Sequence, residues 1–178
     1  MKKNHTLFLV QAGLIAAAYA AATYLCAAWG LAYGEVQFRF SEALMVLALY
    51  TPAAIPGLTI GCVIANLGSP FGVIDIVCGS FATLLAVCLI YMTRHMTVKI
   101  GKEKLNLLAP LFPVLTNAVI VGLEISAFMP EGLTWAGFAA AAVSVGIGEL
   151  VCCYGLGIPL EILFNHLPVF RKNAVQAG

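Results

Sequence analysis

Acidic and amide side chains interrupt several long apolar stretches of this sequence. They are Glu42, Asn66, Asp75, Asn117, Glu124 and Glu149. An ionised carboxylate only accepts hydrogen bonds, and in an apolar environment it costs several kcal/mol unless a partner compensates it. We therefore interpret the set as a candidate binding site. Each of these residues also has a structural alternative: it is protonated, extends to the membrane interface, or bonds to nearby backbone. For Glu161, near the end of its helix, we favour a position at the membrane interface.

Motifs for other chemistries are missing from the sequence. It contains no Gly-x-x-x-x-Gly-Lys-[Ser/Thr] phosphate loop, no Gly-x-Ser-x-Gly nucleophile turn and no His-Glu-x-x-His metal motif. Its three histidines and six cysteines are not grouped at metal-ligand spacings, and a thiol in an apolar run packs as a small hydrophobe. We expect a protein that is not an enzyme and that holds no metal and no cofactor.

The composition determines what surrounds these polar residues. Of the 178 residues, 62% are apolar and 10% are charged, against roughly 25% charged in soluble domains, and the mean hydropathy is +0.99. These values exclude a soluble globular or disordered chain and indicate a polytopic membrane protein. A spanning helix takes about 20 residues, so residues 1–178 hold at most about six spans in a single integral membrane domain. The net charge of +1 argues against nucleic acid as a partner.

The apolar stretches and the breaks between them predict six helices. The second is short, because Ser41 is a suitable N-cap and Pro52 ends the helix at about Thr51. The third begins after Pro56 and ends near Asn66, so the two form either a hairpin or one helix broken by its prolines. The other four predicted helices cover about residues 7–33, 71–96, 107–128 and 135–164.

The distribution of lysine and arginine predicts the topology. If the second and third helices form a hairpin, eight of the nine Lys and Arg residues lie on one side of the membrane, and only Arg39 lies opposite. Cytoplasmic loops are enriched in these residues, so we expect cytoplasmic N- and C-termini in a multi-pass protein of the cell (plasma) membrane. The candidate residues then gather toward the outer side, with Asn117 seven residues from Glu124 on the same helix face.

The outer half of the predicted bundle carries six carboxylates and a single cation, Arg39. An acidic site of this kind favours a ligand that is rich in hydrogen-bond donors and positively charged, because an anion would lack a partner. Arg39 and Glu42 are three residues apart. We expect Arg39 either to pair with Glu42 at the entrance or to take part in binding.

Small residues recur every four positions on the first predicted helix, in two stripes. One stripe is Gly13, Ala17 and Ala21, and the other is Ala12, Ala16 and Ala20. Small residues let a second helix approach closely, which is a main route to helix association in lipid. Such a stripe serves either packing within the bundle or docking of another membrane protein, and Gly13, Ala17 and Ala21 are the candidate docking face.

Several segments of the sequence together resemble the QueT family. They are residues 36–44 (VQFRFSEAL), 51–57 (TPAAIPG), 61–66 (GCVIAN), 72–80 (GVIDIVCGS), 82–84 (ATL) and 146–150 (GIGEL). The resemblance implies an all-α, six-transmembrane-helix bundle that is the substrate-binding S-component of an energy-coupling factor (ECF) transporter. It also implies partners, which are a transmembrane scaffold and two ATPase subunits, and a ligand, which is a queuosine precursor of the 7-deazaguanine class.

A ligand of that class suits an acidic site. Its guanine-like edge presents a ring N–H and an amine that one carboxylate accepts together, and an aminomethyl group on it is cationic. We expect either Glu149 or Glu124 to accept the edge, and either Asp75 or Glu42 to hold the cation. Its carbonyl needs a donor, for which the candidates are the amides of Asn66, Asn117 and Gln37.

Three other functions fit the residues. One is an S-component for another cationic heterocycle such as thiamine. Another is a self-sufficient secondary transporter in which Glu149 carries protons. The third is a structural subunit, which would bind no small molecule. Competition binding separates the first from the queuosine precursor, and dependence of uptake on ATPase subunits separates the second.

Overall fold

A computed structural model describes residues 2–30, 38–168 and 170, with side chains from residue 5 onward. Most of this part of the chain is helical. The helices are α1 (Lys2–Ala28), a 3₁₀ helix (Phe40–Leu49), α2 (Ala54–Asn66), α3 (Val73–Met92), α4 (Leu111–Ala127), α5 (Trp135–Gly155) and α6 (Gly157–His166). Two short strands, β1 (Val98–Ile100) and β2 (Glu103–Leu105), pair antiparallel as a hairpin between α3 and α4.

Three helical stretches are long and apolar enough to cross a membrane: His5–Ala28, Val73–Met92 and Trp135–His166. Three shorter apolar helices complete the set: Phe40–Leu49, Ala54–Asn66 and Leu111–Ala127. Consecutive helices α1 to α5 pack against one another, and large apolar side chains cover much of the outer surface. The chain is therefore an all-α, multi-pass membrane bundle, as the sequence predicts.

The 3₁₀ helix lies in the middle of the bundle, in contact with α1, α2, α3, α5 and α6. A 3₁₀ helix rises about 2.0 Å per residue, so its ten residues reach as far as the thirteen residues of α2 at about 1.5 Å each. The prediction that Ser41 caps this helix is wrong. Arg39 occupies the N-cap without a side-chain cap bond, and the Ser41 hydroxyl accepts a hydrogen bond from Thr23 of α1 at 2.7 Å.

The 3₁₀ helix and α2 form a hairpin along α1. Ser41 at the start of the 3₁₀ helix meets Thr23, whereas Thr51 just after its end donates a hydrogen bond to the Gln11 side chain, so the 3₁₀ helix runs antiparallel to α1. Helix α2 runs parallel to α1, because a Cβ on Gly57 would touch Ala12 and a Cβ on Gly61 would touch Ala16. Of the two arrangements that the sequence left open, the structure has the hairpin.

The hairpin order gives the bundle two ends. The α2–α3 end holds the turn Leu67–Gly72 with the C-terminal ends of α1 and α4. The strand end holds the β1–β2 hairpin, Thr51 and α6.

Several predicted boundaries differ from the structure. Helix α3 ends at Met92 rather than 96, and the basic segment expected as a loop forms the β1–β2 hairpin. The predicted sixth helix is broken at Leu156, because Pro159 has no N–H for the carbonyl of Gly155 and its ring crowds that carbonyl. Helix α1 ends at Ala28, and residues 31–33 of the predicted first helix lie outside the described residues.

Candidate functional site

The tier of the site nearer the α2–α3 end is built around Asp75. The Nη2 atom of Arg39 lies 3.5 Å from Asp75 Oδ2, and both side chains are buried. Asn66 closes α2 and donates from Nδ2 to the Asp75 backbone carbonyl at 2.9 Å. Gly79 makes this approach possible, since a Cβ there would stand 2.5 Å from Asn66 Nδ2. The sequence left open whether Arg39 pairs with Glu42. The structure gives Arg39 a salt bridge with Asp75 of α3, and Glu42 lies within electrostatic range of the same guanidinium.

Glu124 of α4 completes this tier. Its side chain is only 5% exposed, and neither carboxylate oxygen has a hydrogen-bond partner among the described residues. It lies within electrostatic range of both Asp75 and Arg39. One like charge, on Asp75, and one opposite charge, on Arg39, therefore act on the Glu124 carboxylate, whose oxygens accept no hydrogen bond from the described part of the chain.

A second tier lies deeper in the bundle. Glu42 of the 3₁₀ helix accepts a hydrogen bond from the Tyr19 hydroxyl. Glu149 of α5 accepts bonds from Asn117 Nδ2 at 2.9 Å and from the Cys153 thiol at 3.4 Å. Electrostatic interaction also couples Glu42 to Glu149. Four elements thus bring two carboxylates, an amide, a phenol and a thiol to one level.

Two members of the second tier, Cys153 and Tyr19, were not predicted from the sequence. Cys153 stands four residues after Glu149 and so shares its helix face, a spacing that can be read from sequence. Tyr19 lies 23 residues from Glu42 in an apolar helix, and no local pattern separates it from an ordinary packed tyrosine.

The structure brings together nearly all of the predicted binding residues. The seven that gather in the two tiers are all at most 5% exposed: Arg39, Glu42, Asn66, Asp75, Asn117, Glu124 and Glu149. Gln37 lies outside the described residues. Glu161 lies at the opposite, strand end, where its side chain is buried within the bundle and accepts a bond from the Asn106 backbone N–H at 2.8 Å.

The site is strongly acidic and shielded from water. Its two tiers contain four carboxylates and one guanidinium, and ionised groups in an apolar interior interact strongly because the surroundings screen them weakly. A donor-rich or cationic molecule would offset the excess of acceptors. Within the described residues, no cluster of histidine, cysteine, aspartate and glutamate has the arrangement of a metal site.

The two small-residue stripes of α1 have different surroundings. Ala12, Ala16 and Ala20 are buried, the first two against Gly57 and Gly61 of α2. Gly13, Ala17 and Ala21 are exposed on the outer surface of α1. The bundle therefore uses one stripe for its own packing and presents the other outward.

Apolar helices around a buried, acidic interior define a multi-pass membrane protein with a polar core. The family model described as QueT transporter matches residues 9–166, and the chain belongs to this family of transporters, as its sequence motifs predict. It is 30% identical over 158 residues to the Queuosine precursor transporter QueT of Lactococcus lactis subsp. cremoris (strain MG1363), a match that covers 85% of this chain and 93% of that relative. No solved structure matches the chain.

Proposed function

We propose that the chain is the substrate-binding S-component of an ECF-type importer and captures a queuosine precursor of the 7-deazaguanine class. The observation that carries this proposal is the convergence of four buried carboxylates and two amides, contributed by the 3₁₀ helix, α2, α3, α4 and α5. The name of the Lactococcus relative supports the ligand class.

The partners of each carboxylate suggest how the ligand is held. Glu124 has two oxygens without described partners, so it suits the guanine-like edge with its two adjacent donors. Glu42 keeps Oε2 without a described partner and has Glu149 nearby, so this pair suits the cationic aminomethyl group. The guanidinium of Arg39 supplies donors beside Glu124 for the ligand carbonyl.

Calorimetry on the purified protein tests this arrangement. The wild type should bind 7-aminomethyl-7-deazaguanine and queuine in preference to guanine and thiamine. Glu124→Gln should weaken binding roughly 10- to 100-fold, because one charge-assisted contact is lost. Glu161→Gln is the matched control, since it alters a buried carboxylate at the strand end and should leave affinity unchanged. Undiminished affinity in both Glu124→Gln and Glu42→Gln would exclude the proposed site.

We further propose that the exposed stripe of α1 docks the transmembrane scaffold, which carries the two ATPase subunits. The sequence has no phosphate-binding loop, so an ATP-driven importer needs such partners. Ala17→Leu should abolish copurification with the scaffold without changing ligand affinity. Ala140→Leu on α5, where the alanine is likewise exposed, is the control and should copurify normally. Normal copurification of Ala17→Leu would contradict this docking face.

In this proposal the protein is not an enzyme, both termini are cytoplasmic and the α2–α3 end faces outside. The arrangement of basic residues supports the orientation. Labelling of single cysteines at Ser69 and Lys102 with an impermeant thiol reagent, in a background without the native cysteines, tests it in whole cells. Ser69→Cys should react and Lys102→Cys should not, and the reverse pattern would invert the topology.

A second candidate is a self-sufficient, proton-coupled transporter, which the closeness of Glu42 and Glu149 favours. Uptake of the labelled ligand in cells without the ATPase subunits distinguishes the two. Lost uptake supports the importer. Uptake that persists and collapses with the proton gradient supports the proton-coupled transporter.

A further inference from the structure

The β1–β2 hairpin places two lysines directly opposite each other. Its register pairs Lys99 with Lys104, flanked by the pairs Val98 with Leu105 and Ile100 with Glu103. Directly paired residues have Cβ atoms about 4.5–5.5 Å apart, and like charges at that distance destabilise a hairpin. Lys102 in the turn adds a third exposed cation.

The three lysines have no acidic partner at salt-bridge distance within the described part of the chain. Glu103, the acidic residue of β2, lies on the other face of the hairpin, 3.4 Å from the His166 ring. The lysine face is therefore a concentrated positive surface.

Apart from Glu103, the opposite face of the hairpin is apolar. Leu105 packs inward and is 4% exposed, while Val98 and Ile100 are about half exposed. Met96, which precedes β1, is also exposed. The hairpin connects the ends of two apolar helices, α3 and α4, so it lies at the level where a membrane meets water.

We propose that the hairpin is a binding site for anionic phospholipid headgroups. The exposed apolar side chains of Val98 and Ile100 enter the boundary with the acyl chains, and the ammonium groups of Lys99, Lys104 and Lys102 reach the phosphate level. This division of faces is that of interfacial amphipathic segments, whose lysines add attraction to anionic lipids. A bound phosphate lying between Lys99 and Lys104 also removes the repulsion that their register creates.

Native mass spectrometry of the delipidated, full-length protein tests this site. Phosphatidylglycerol and phosphatidylcholine with identical acyl chains are titrated separately. The wild type should retain phosphatidylglycerol preferentially, and K99Q/K104Q should weaken that binding roughly tenfold or more, at about 1 kcal/mol per lysine. K99R/K104R should retain it. K2Q/K3Q removes the same charge from the N-terminus and should behave as the wild type.

A second variant separates lipid binding from folding of the hairpin. K104E places opposite charges in the same register, so the hairpin should form at least as well while preference for phosphatidylglycerol is lost. Equal retention in K99Q/K104Q and the wild type would overturn the proposal, as would an equal loss in K2Q/K3Q. Unchanged lipid retention with lost binding to a protein partner would also overturn it, because the lysines would then face a protein.

Discussion

The two polar regions of this molecule differ in how far their carboxylates are hydrogen-bonded. At the strand end, Asn106 donates to the Thr93 carbonyl at 2.6 Å and accepts from the Leu108 and Ala109 backbone, while Glu161 accepts from the Asn106 N–H. In the candidate site, Asp75 and Glu124 have no hydrogen-bond partner on any carboxylate oxygen within the described residues. One oxygen of Glu161 is hydrogen-bonded and the other, Oε2, has no described partner, whereas Asp75 and Glu124 have no described hydrogen bond on either oxygen.

The difference separates a structural role from a binding role. A buried polar group that is bonded contributes to stability, whereas an unbonded one destabilises the fold and persists where another requirement favours it. The strand end joins α6 to the segment before α4 and to the hairpin, through Glu161 and through the bond from Asn165 to the Lys104 carbonyl. Its network therefore links elements of the fold, whereas the acidic tiers leave oxygens of Asp75, Glu124 and Glu42 without a hydrogen bond from the described residues.

The largest test of this contrast replaces one carboxylate in each region by leucine. Glu124→Leu should abolish ligand binding but raise the free energy of unfolding by about 1–2 kcal/mol, because a buried charge is removed. Glu161→Leu should lower that free energy by about 2 kcal/mol, since it leaves the Asn106 N–H without a partner, and should leave binding intact. Unfolding in detergent and calorimetry measure the two quantities. Stability changes of the same sign would remove the distinction.

The second test adds a methyl group at one glycine in the site and at one outside it. Gly79→Ala should lower the free energy of unfolding by about 1–3 kcal/mol and weaken ligand binding, because its Cβ would stand 2.5 Å from Asn66 Nδ2. Gly146→Ala on α5 is the control, since its Cβ would make an ordinary 3.6 Å contact with Ala118. That change should stabilise the helix by roughly 0.5–1 kcal/mol. A neutral Gly79→Ala would show that Asn66 is not held in place.

The smallest effect concerns a single hydroxyl. Tyr19→Phe removes the donor to Glu42 and should lower the free energy of unfolding by about 1.5 kcal/mol, the lower end for bonds to charged groups. Tyr24→Phe on the same helix removes an exposed bond to the Ile64 carbonyl and should cost less. Thermal unfolding of the two variants measures the loss of unfolding free energy in each. Equal losses would mean that the bond to Glu42 is no stronger than an exposed one, and so that Glu42 does not lie in a low-dielectric interior.

Local sequence signals predicted most helices, and the details that they missed depend on contacts between helices. Apolar length and the prolines located the helices, but the break at Leu156 was missed although Pro159 was visible. The 3₁₀ form of the second helix depends on burial against five other helices, which no local propensity records. Ser41 looked like a cap, but its hydroxyl bonds to Thr23 on another helix.

The sequence by itself determined that this protein lies in a membrane and that its apolar helices carry carboxylates, because both follow from composition and local spacing. Only the tertiary structure decided that Arg39 forms a salt bridge with Asp75 of another helix, and that Tyr19 joins the site. It also decided which stripe of α1 is buried. The reason is that periodicity fixes which residues share a helix face, whereas packing between helices distant in sequence sets how each face is turned and at what depth it meets its partners.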